Sequence, residues 1–261
     1  PALALALVLA RALALALAAI ATVSHAADTK MSPPTTATVL VVGATGRSGP
    51  GLLEALRAGG YTRVRALVRD PASARAKVAA GVELAQGDVR DPASLAKALD
   101  GVQYVVSALG SNTFNDPANS PEKVDYEGVR NLAVAAKAAG VKQYVQISSL
   151  GITNPNHPLN RFGKVMEWKL KGENALRTSG VPYTIVRPGG LGDGPGGKVG
   201  IRVAQGDTLA SGQIQRADVA IVCVQALGNP DAVGKTFEIV AGEPGASVDW
   251  AAFFKPLKRD P

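Results

Sequence analysis

The chain has 261 residues, 46% of them apolar, with 29 Gly, 17 Pro, one Cys and two His. That apolar content supports one large core and excludes disorder, Cys223 alone excludes an intramolecular disulfide framework, and His25, His157 and Cys223 do not make a zinc-ligand set. The net charge of +7 suits a nucleic acid, a membrane surface or a small polyanion such as a phosphorylated cofactor, and where the charges cluster decides among them.

Residues 2–23 are apolar apart from Arg11 and Thr22, and Ser24-His25-Ala26-Ala27 resembles a cleavage site. Residues 1–30 therefore read as a targeting leader, or as an extension upstream of a true start at Met31. Arg11 splits the run into pieces short for a bilayer, so no membrane is expected for the folded domain.

From residue 37 onward, short β-branched runs predict strands at 39–42, 64–68, 82–86, 104–108, 144–147 and 184–186. Helical patterns at 51–58, 71–80, 92–99, 124–139 and 162–179 alternate with them. Each strand is continuously apolar, as in a parallel sheet covered on both faces, and Asp91-Pro92 reads as an N-cap followed by a first-turn proline. The expected fold is α/β with a doubly wound parallel sheet. A core spans residues 31–186, and residues 187–261 form a small carboxy-terminal substrate lobe with a Gly-rich loop at 187–200, a helix at 217–227 and a strand at 236–240.

After the first strand comes Gly43-Ala44-Thr45-Gly46-Arg47-Ser48-Gly49, a GxxGxxG spacing that opens a helix. Gly43 suits a tight turn, Gly46 a close approach to a pyrophosphate, and Gly49 the packing of helix on strand. The helix N-terminus, with Thr45 and Ser48 beside it, offers N–H groups to an anion. Where an acidic residue would hold a ribose 2′-hydroxyl, at the end of the second strand, stands Arg69. Its guanidinium matches a 2′-phosphate, Arg47 is expected to converge on the same point, and the cofactor reading is NADP(H). Asp70 takes the hydroxyl role instead if the strand ends one residue later. Asp88 and Val89 end the third strand, as acceptor for an adenine amino group and packing surface for its ring; a helix N-cap is the rival role for Asp88. Ser107, Ala108, Leu109 and Gly110 end the fourth strand, where small residues let the backbone pass close to a cofactor. The basic residues Arg63, Arg65, Arg69, Arg75 and Lys77 lack interleaved aromatics, which favours a phosphate site with solvated surface over a nucleic-acid face.

The stretches VLVVGATGRSG, ALVRDP, QGDVRD, VVSALGS, VDYEGVRNLAVAAKAAGVKQYVQISSLG and GVPYTIVRPGGL, in that order, resemble the NAD(P)H-binding, NmrA-like group of atypical short-chain dehydrogenase/reductases. The resemblance implies a Rossmann domain for NADP(H) with a small substrate lobe. It also implies a Tyr-x-x-x-Lys pair on the helix after the fifth strand. Here the lysine is Lys169, implied to hold the nicotinamide ribose, and Val165 replaces the tyrosine. Ser148 and Ser149 occupy the family's serine region, with Ser149 the preferred carbonyl-polarising donor. His157 reads as a loop residue, and Tyr126 and Asn131 as fixing a helix to the sheet. Two functions follow. One is an NADPH-dependent oxidoreductase for a small carbonyl or quinone-like acceptor, in the cytoplasm or a plastid-like organelle. The other is a non-catalytic NADP(H) sensor or assembly factor acting through a protein partner.

Overall fold

A computed structural model of the chain describes residues 36–111 and 117–261, and the leader-like run lies outside the described residues. Strand β1 (Thr38–Val42) leads into α1 (Gly49–Ala58), β2 (Arg63–Val68), α2 (Pro71–Ala74) and β3 (Glu83–Gln86). A 3₁₀ turn (Pro92–Ser94) then runs into α3 (Leu95–Ala98), followed by β4 (Tyr104–Ser107). A π turn (Glu122–Gly128) continues into α4 (Val129–Ala138), followed by β5 (Gln143–Ile147), α5 (Val165–Thr178), β6 (Tyr183–Pro188) and β7 (Gly190–Gly192). The chain closes with β8 (Val199–Ala204), β9 (Gln213–Gln215), α6 (Arg216–Ala226), β10 (Lys235–Pro244) and α7 (Trp250–Phe253).

The main sheet has eight strands in the order β3-β2-β1-β4-β5-β6-β10-β8, parallel throughout except for β8, which runs antiparallel to β10. Its order reverses between β1 and β4. At that point Val42 pairs with Leu67 on one side and Ser107 on the other, which aligns the carboxyl ends where such sheets bind ligands. Alternation along β1 feeds both faces: Val39 and Val41 pack with Leu52, Leu56 and Val222, whereas Leu40 and Val42 pack with Leu95, Leu132 and Leu176. Helices α1 and α6 thus cover one face and α3, α4 and α5 the other, which is why the central strands β1 and β4 are buried along their whole length. Asp70 and Asp91 accept from Ala72 and Ala93 N–H at 3.0 and 3.1 Å and cap the turns that begin at Pro71 and Pro92.

Several boundaries differ from those expected. The helix expected at 71–80 stops at Ala74, and buried Val78 draws the chain back onto the sheet. That expected at 162–179 begins only at Val165, because Gly163 and Lys164 both adopt left-handed backbone, at φ 69° and 59°. The Gly-rich run expected as a loop carries β7 and leads into β8. Its strand character lies in main-chain pairing that composition does not display, and a Cβ on Gly189 would stand 2.4 Å from the Gly212 carbonyl. β8 and β10 of residues 187–261 also extend the main sheet.

Between α5 and the interior strands β6 and β10 lies a buried charge cluster. Glu173 accepts from Arg187 at 2.7 and 3.0 Å and from Arg177 at 2.8 Å, while Arg187 also reaches Glu238 at 3.4 Å. Burial pushes the Glu238 carboxyl above its ordinary range. Removing one partner from such a cluster strands charge in a poorly solvated place. Arg187→Met is expected to lower stability by about 3–5 kcal/mol, read as a shift in denaturant midpoint, and an unchanged midpoint would contradict this account.

Candidate cofactor and active site

The turn between β1 and α1 is built by main-chain constraints. Gly43 sits at φ 81°, its carbonyl accepts from Gly46 N–H at 3.0 Å, and a Cβ on Gly43 would meet the Ala108 carbonyl at 2.8 Å. A Cβ on Gly49 would lie 2.0 Å from the Ala44 carbonyl, so only glycine lets α1 start this close to its strand. The Ser48 side chain does not cap α1 and no acidic residue occupies its first turn, which leaves that end electropositive.

This turn borders a cleft of ≈ 170 Å³, open to solvent, at the carboxyl edge of β1, β2, β3 and β4. Of the expected cofactor residues, Gly43, Thr45, Gly46, Arg69, Asp88, Val89, Ala108 and Leu109 line it. Arg47, Ser48, Gly49, Ser107, Ser149 and Lys169 do not. Ser107 is buried, and its hydroxyl accepts from Leu109 N–H at 3.3 Å. The expected convergence of Arg47 with Arg69 is not found. Arg47 pairs instead with Asp193 at 2.7 Å, on the segment after β7, and Asp193 also pairs with Arg216; these cations hold its carboxyl below the usual range.

Gly110, expected beside Leu109, lines it too, whereas sequence reading missed Arg90, Ser111, Asn119 and Val124, which also line the cleft. Arg90 holds Asp88 through three side-chain hydrogen bonds, two of them at 2.9 and 3.1 Å, and its N–H donates to the same carboxylate at 2.9 Å. The guanidinium keeps the Asp88 carboxyl low against the opposing effect of burial. Asp88 caps no helix, since Asp91 does that work. Asn119 Oδ1 accepts from both Arg90 and Arg69 at 3.1 Å, which ties its loop to the ends of β2 and β3. The D-x-R spacing at 88–90 was visible in sequence; Asn119 carries no local signal. A second cleft shares Thr45, Val68 and Arg69 with the first and adds Asp70, Ser73, Ala74 and Lys77. Asp70, the candidate for a ribose hydroxyl, directs both carboxylate oxygens to the cap of α2, accepting from Ala72 and Ser73 N–H.

At the other end, a narrow cavity of ≈ 10 Å³, about the space of one water, shares Leu109 with the cleft and is lined by Lys169, Asp125, Gln146, Ser148 and Glu173 among others. The structure brings Ser148, not the preferred Ser149, to Lys169. Gln146 and Ser148 are two residues apart and face the same side, while the Ser149 hydroxyl reaches only the Leu150 carbonyl at 3.4 Å. Lys169 Nζ donates to Asp125 at 2.7 Å. Val165 is buried beside Ile152 and Met166. His157 Nδ1 accepts from Leu159 N–H at 3.2 Å and caps a 3₁₀ turn, and Asn131 donates to the Val89 carbonyl at 3.0 Å, anchoring α4. Among the described residues no group of His, Cys, Asp and Glu could hold a metal, and no helix is long and apolar enough to cross a membrane.

A family model described as NAD(P)H-binding matches residues 43–230. The chain is 39% identical over 258 residues to an uncharacterised chloroplastic protein of Arabidopsis thaliana, covering 89% of this chain and 78% of that one. It is 34% identical over 262 residues to sanguinarine reductase of Eschscholzia californica, covering 84% and 96%. Among solved structures, an NADPH-dependent quinone oxidoreductase of Escherichia coli complexed with NADPH superposes with a TM-score of 0.58 at 27% identity, over 82% of this chain and 73% of that one. The chain belongs to the NAD(P)H-binding, NmrA-like group of atypical short-chain dehydrogenase/reductases, an oxidoreductase family with a Rossmann fold.

Val165, four residues before Lys169, is closed in by packing. Val165→Tyr is expected to overpack the Ile152–Met166 cluster and cost about 1–3 kcal/mol in chemical denaturation. A variant as stable as the parent would mean that this side of α5 has room for a phenol.

Proposed function

We propose that this chain is an NADPH-dependent reductase, working in a plastid, that delivers hydride to a small carbonyl or quinone-like acceptor. The observation that carries the cofactor choice is Arg69. It lines both clefts at the end of β2 and forms no close ion pair among the described residues, although its charge also helps keep the Asp88 carboxyl low. Lys77 and the hydroxyls of Thr45 and Ser73 surround the same notch. A 2′-phosphate suits that donor set, whereas a ribose 2′-hydroxyl would need an acceptor, and the Asp70 carboxylate is turned into the cap of α2.

The remaining residues divide the cofactor's length between them. The tight turn at Gly43 and Gly46 and the bare N-terminus of α1 fit a pyrophosphate, with no side chain in its way. Val89 offers an apolar surface to the adenine ring. Lys169 holds the nicotinamide ribose from the far side of Leu109, and Ser148 orients the acceptor. When bound, the dihydronicotinamide supplies the hydride; the chain's own share is position and electrostatics. The two reductase relatives support the reaction class, and the chloroplastic relative together with the leader-like run supports the compartment.

Arg69→Ala is expected to weaken NADPH binding by about 1–2 kcal/mol, roughly five- to thirtyfold, and to leave NADH nearly unchanged in parallel titrations. Lys77→Ala should act in the same direction to a smaller extent. Equal losses for both cofactors would overturn the NADPH choice. NADPH oxidation against a panel of quinones and aldehydes tests the reaction itself; tight binding with no turnover would assign the chain to nucleotide sensing through a protein partner.

A further inference from the structure

We propose that Asp125 is the positioning residue for Lys169, a buried counter-ion that aims the ammonium at the nicotinamide end of the cleft. The inference rests on the cofactor reading above. Asp125 lies in the π turn, a backbone form frequent at functional sites, and only 2% of its surface is exposed. One carboxylate oxygen accepts from Lys169 Nζ at 2.7 Å; the other accepts from the Ser111 hydroxyl at 2.6 Å and its N–H at 3.2 Å. Gly110 and Ser111 line the cofactor cleft, and a Cβ on Gly110 would stand 3.5 Å from Lys169 Nζ and 3.7 Å from Asp125. The ion pair therefore sits directly beneath the backbone that a cofactor would touch.

The surroundings hold that geometry from both sides. A Cβ on Gly172 would lie 2.1 Å from the Asp125 carbonyl, so α5 packs on the π turn main chain to main chain. On the outer side Tyr126 and Trp168 stack at 5.9 Å, with Arg130 over the first ring and Lys171 over the second. Packing alone thus joins the two segments. A buried ion pair is a poor way to gain further stability, because desolvating two charges offsets most of their attraction. What the pair supplies is a charge held at one place, next to the loop that follows β4.

Asp125→Asn keeps the shape and the hydrogen bond to Ser111 but removes the charge that holds Lys169. It is expected to weaken NADPH binding about tenfold, as Lys169→Met does, and the double variant should bind no more weakly than either single one. Thermal midpoints of all four proteins, measured without nucleotide, register any purely structural loss. Wild-type affinity in Asp125→Asn, or a further tenfold loss when it is added to Lys169→Met, would overturn the proposal. A wild-type protein that binds no NADPH would refute the cofactor reading and this inference together, whereas binding without turnover leaves the four-protein comparison decisive.

Discussion

Backbone packed directly on backbone, with no side chain between, governs where the site can be built. At Gly49 the start of α1 presses on the Ala44 carbonyl, at Gly43 the first turn presses on Ala108 at the end of β4, and at Gly172 helix α5 presses on Asp125. A Cβ at any of these positions would fall within 2.8 Å of a carbonyl oxygen belonging to a rigid element, so the neighbour cannot yield as a flexible side chain would. The loops bearing Thr45, Leu109, Ser111 and Asp125 are consequently fixed by main-chain geometry, which is how a site on loops acquires the precision of one on regular elements.

Charge follows the same division between what is fixed and what is offered. Inside, carboxylates meet cations at close range: Asp88 with Arg90, Asp125 with Lys169, and Glu173 with Arg177 and Arg187. The basic run at 63–77, which on paper resembles one face, disperses when folded. Arg65 donates to the Ala98 and Asp100 carbonyls and pairs with Glu83, and Arg75 reaches the Val82 carbonyl at 3.3 Å. Arg69 and Lys77 are left at one notch. Two cations at a point suit a single phosphate; a nucleic-acid backbone would require a stripe.

The parallel strands and the glycine turn were legible in the sequence because each rests on a short-range signal, an apolar run or a fixed glycine spacing. Ser149 is set apart from Lys169 by alternation. Counting by two from Gln146 gives Ser148, and a one-residue slip turns a side chain to the opposite side. Arg47 is drawn aside for another reason: its partner Asp193 lies 146 residues away in a Gly-rich segment that has no periodicity to place it. Asn119 and Asp125 were illegible for the same reason, although a glycine at 172 inside a helical pattern was a visible hint that another backbone passes close by.

Val165 bears on the acceptor. A simple ketone gains electron density on oxygen as hydride arrives and needs a nearby acid to complete the step, the task of the family's phenol. In this chain that position is filled by apolar packing, and the lysine one helical turn later is turned toward a carboxylate. Ser148 in the cavity can donate a hydrogen bond without having to supply a strong acid. An acceptor whose reduced form is stabilised by its own conjugation asks less of the protein, since charge spreads over a ring system as hydride is added and proton uptake can follow from solvent. On the proposed reductase reading, the arrangement around α5 fits a quinone-like acceptor better than an isolated carbonyl, and it does so through what packs against Val165 as much as through any polar group nearby.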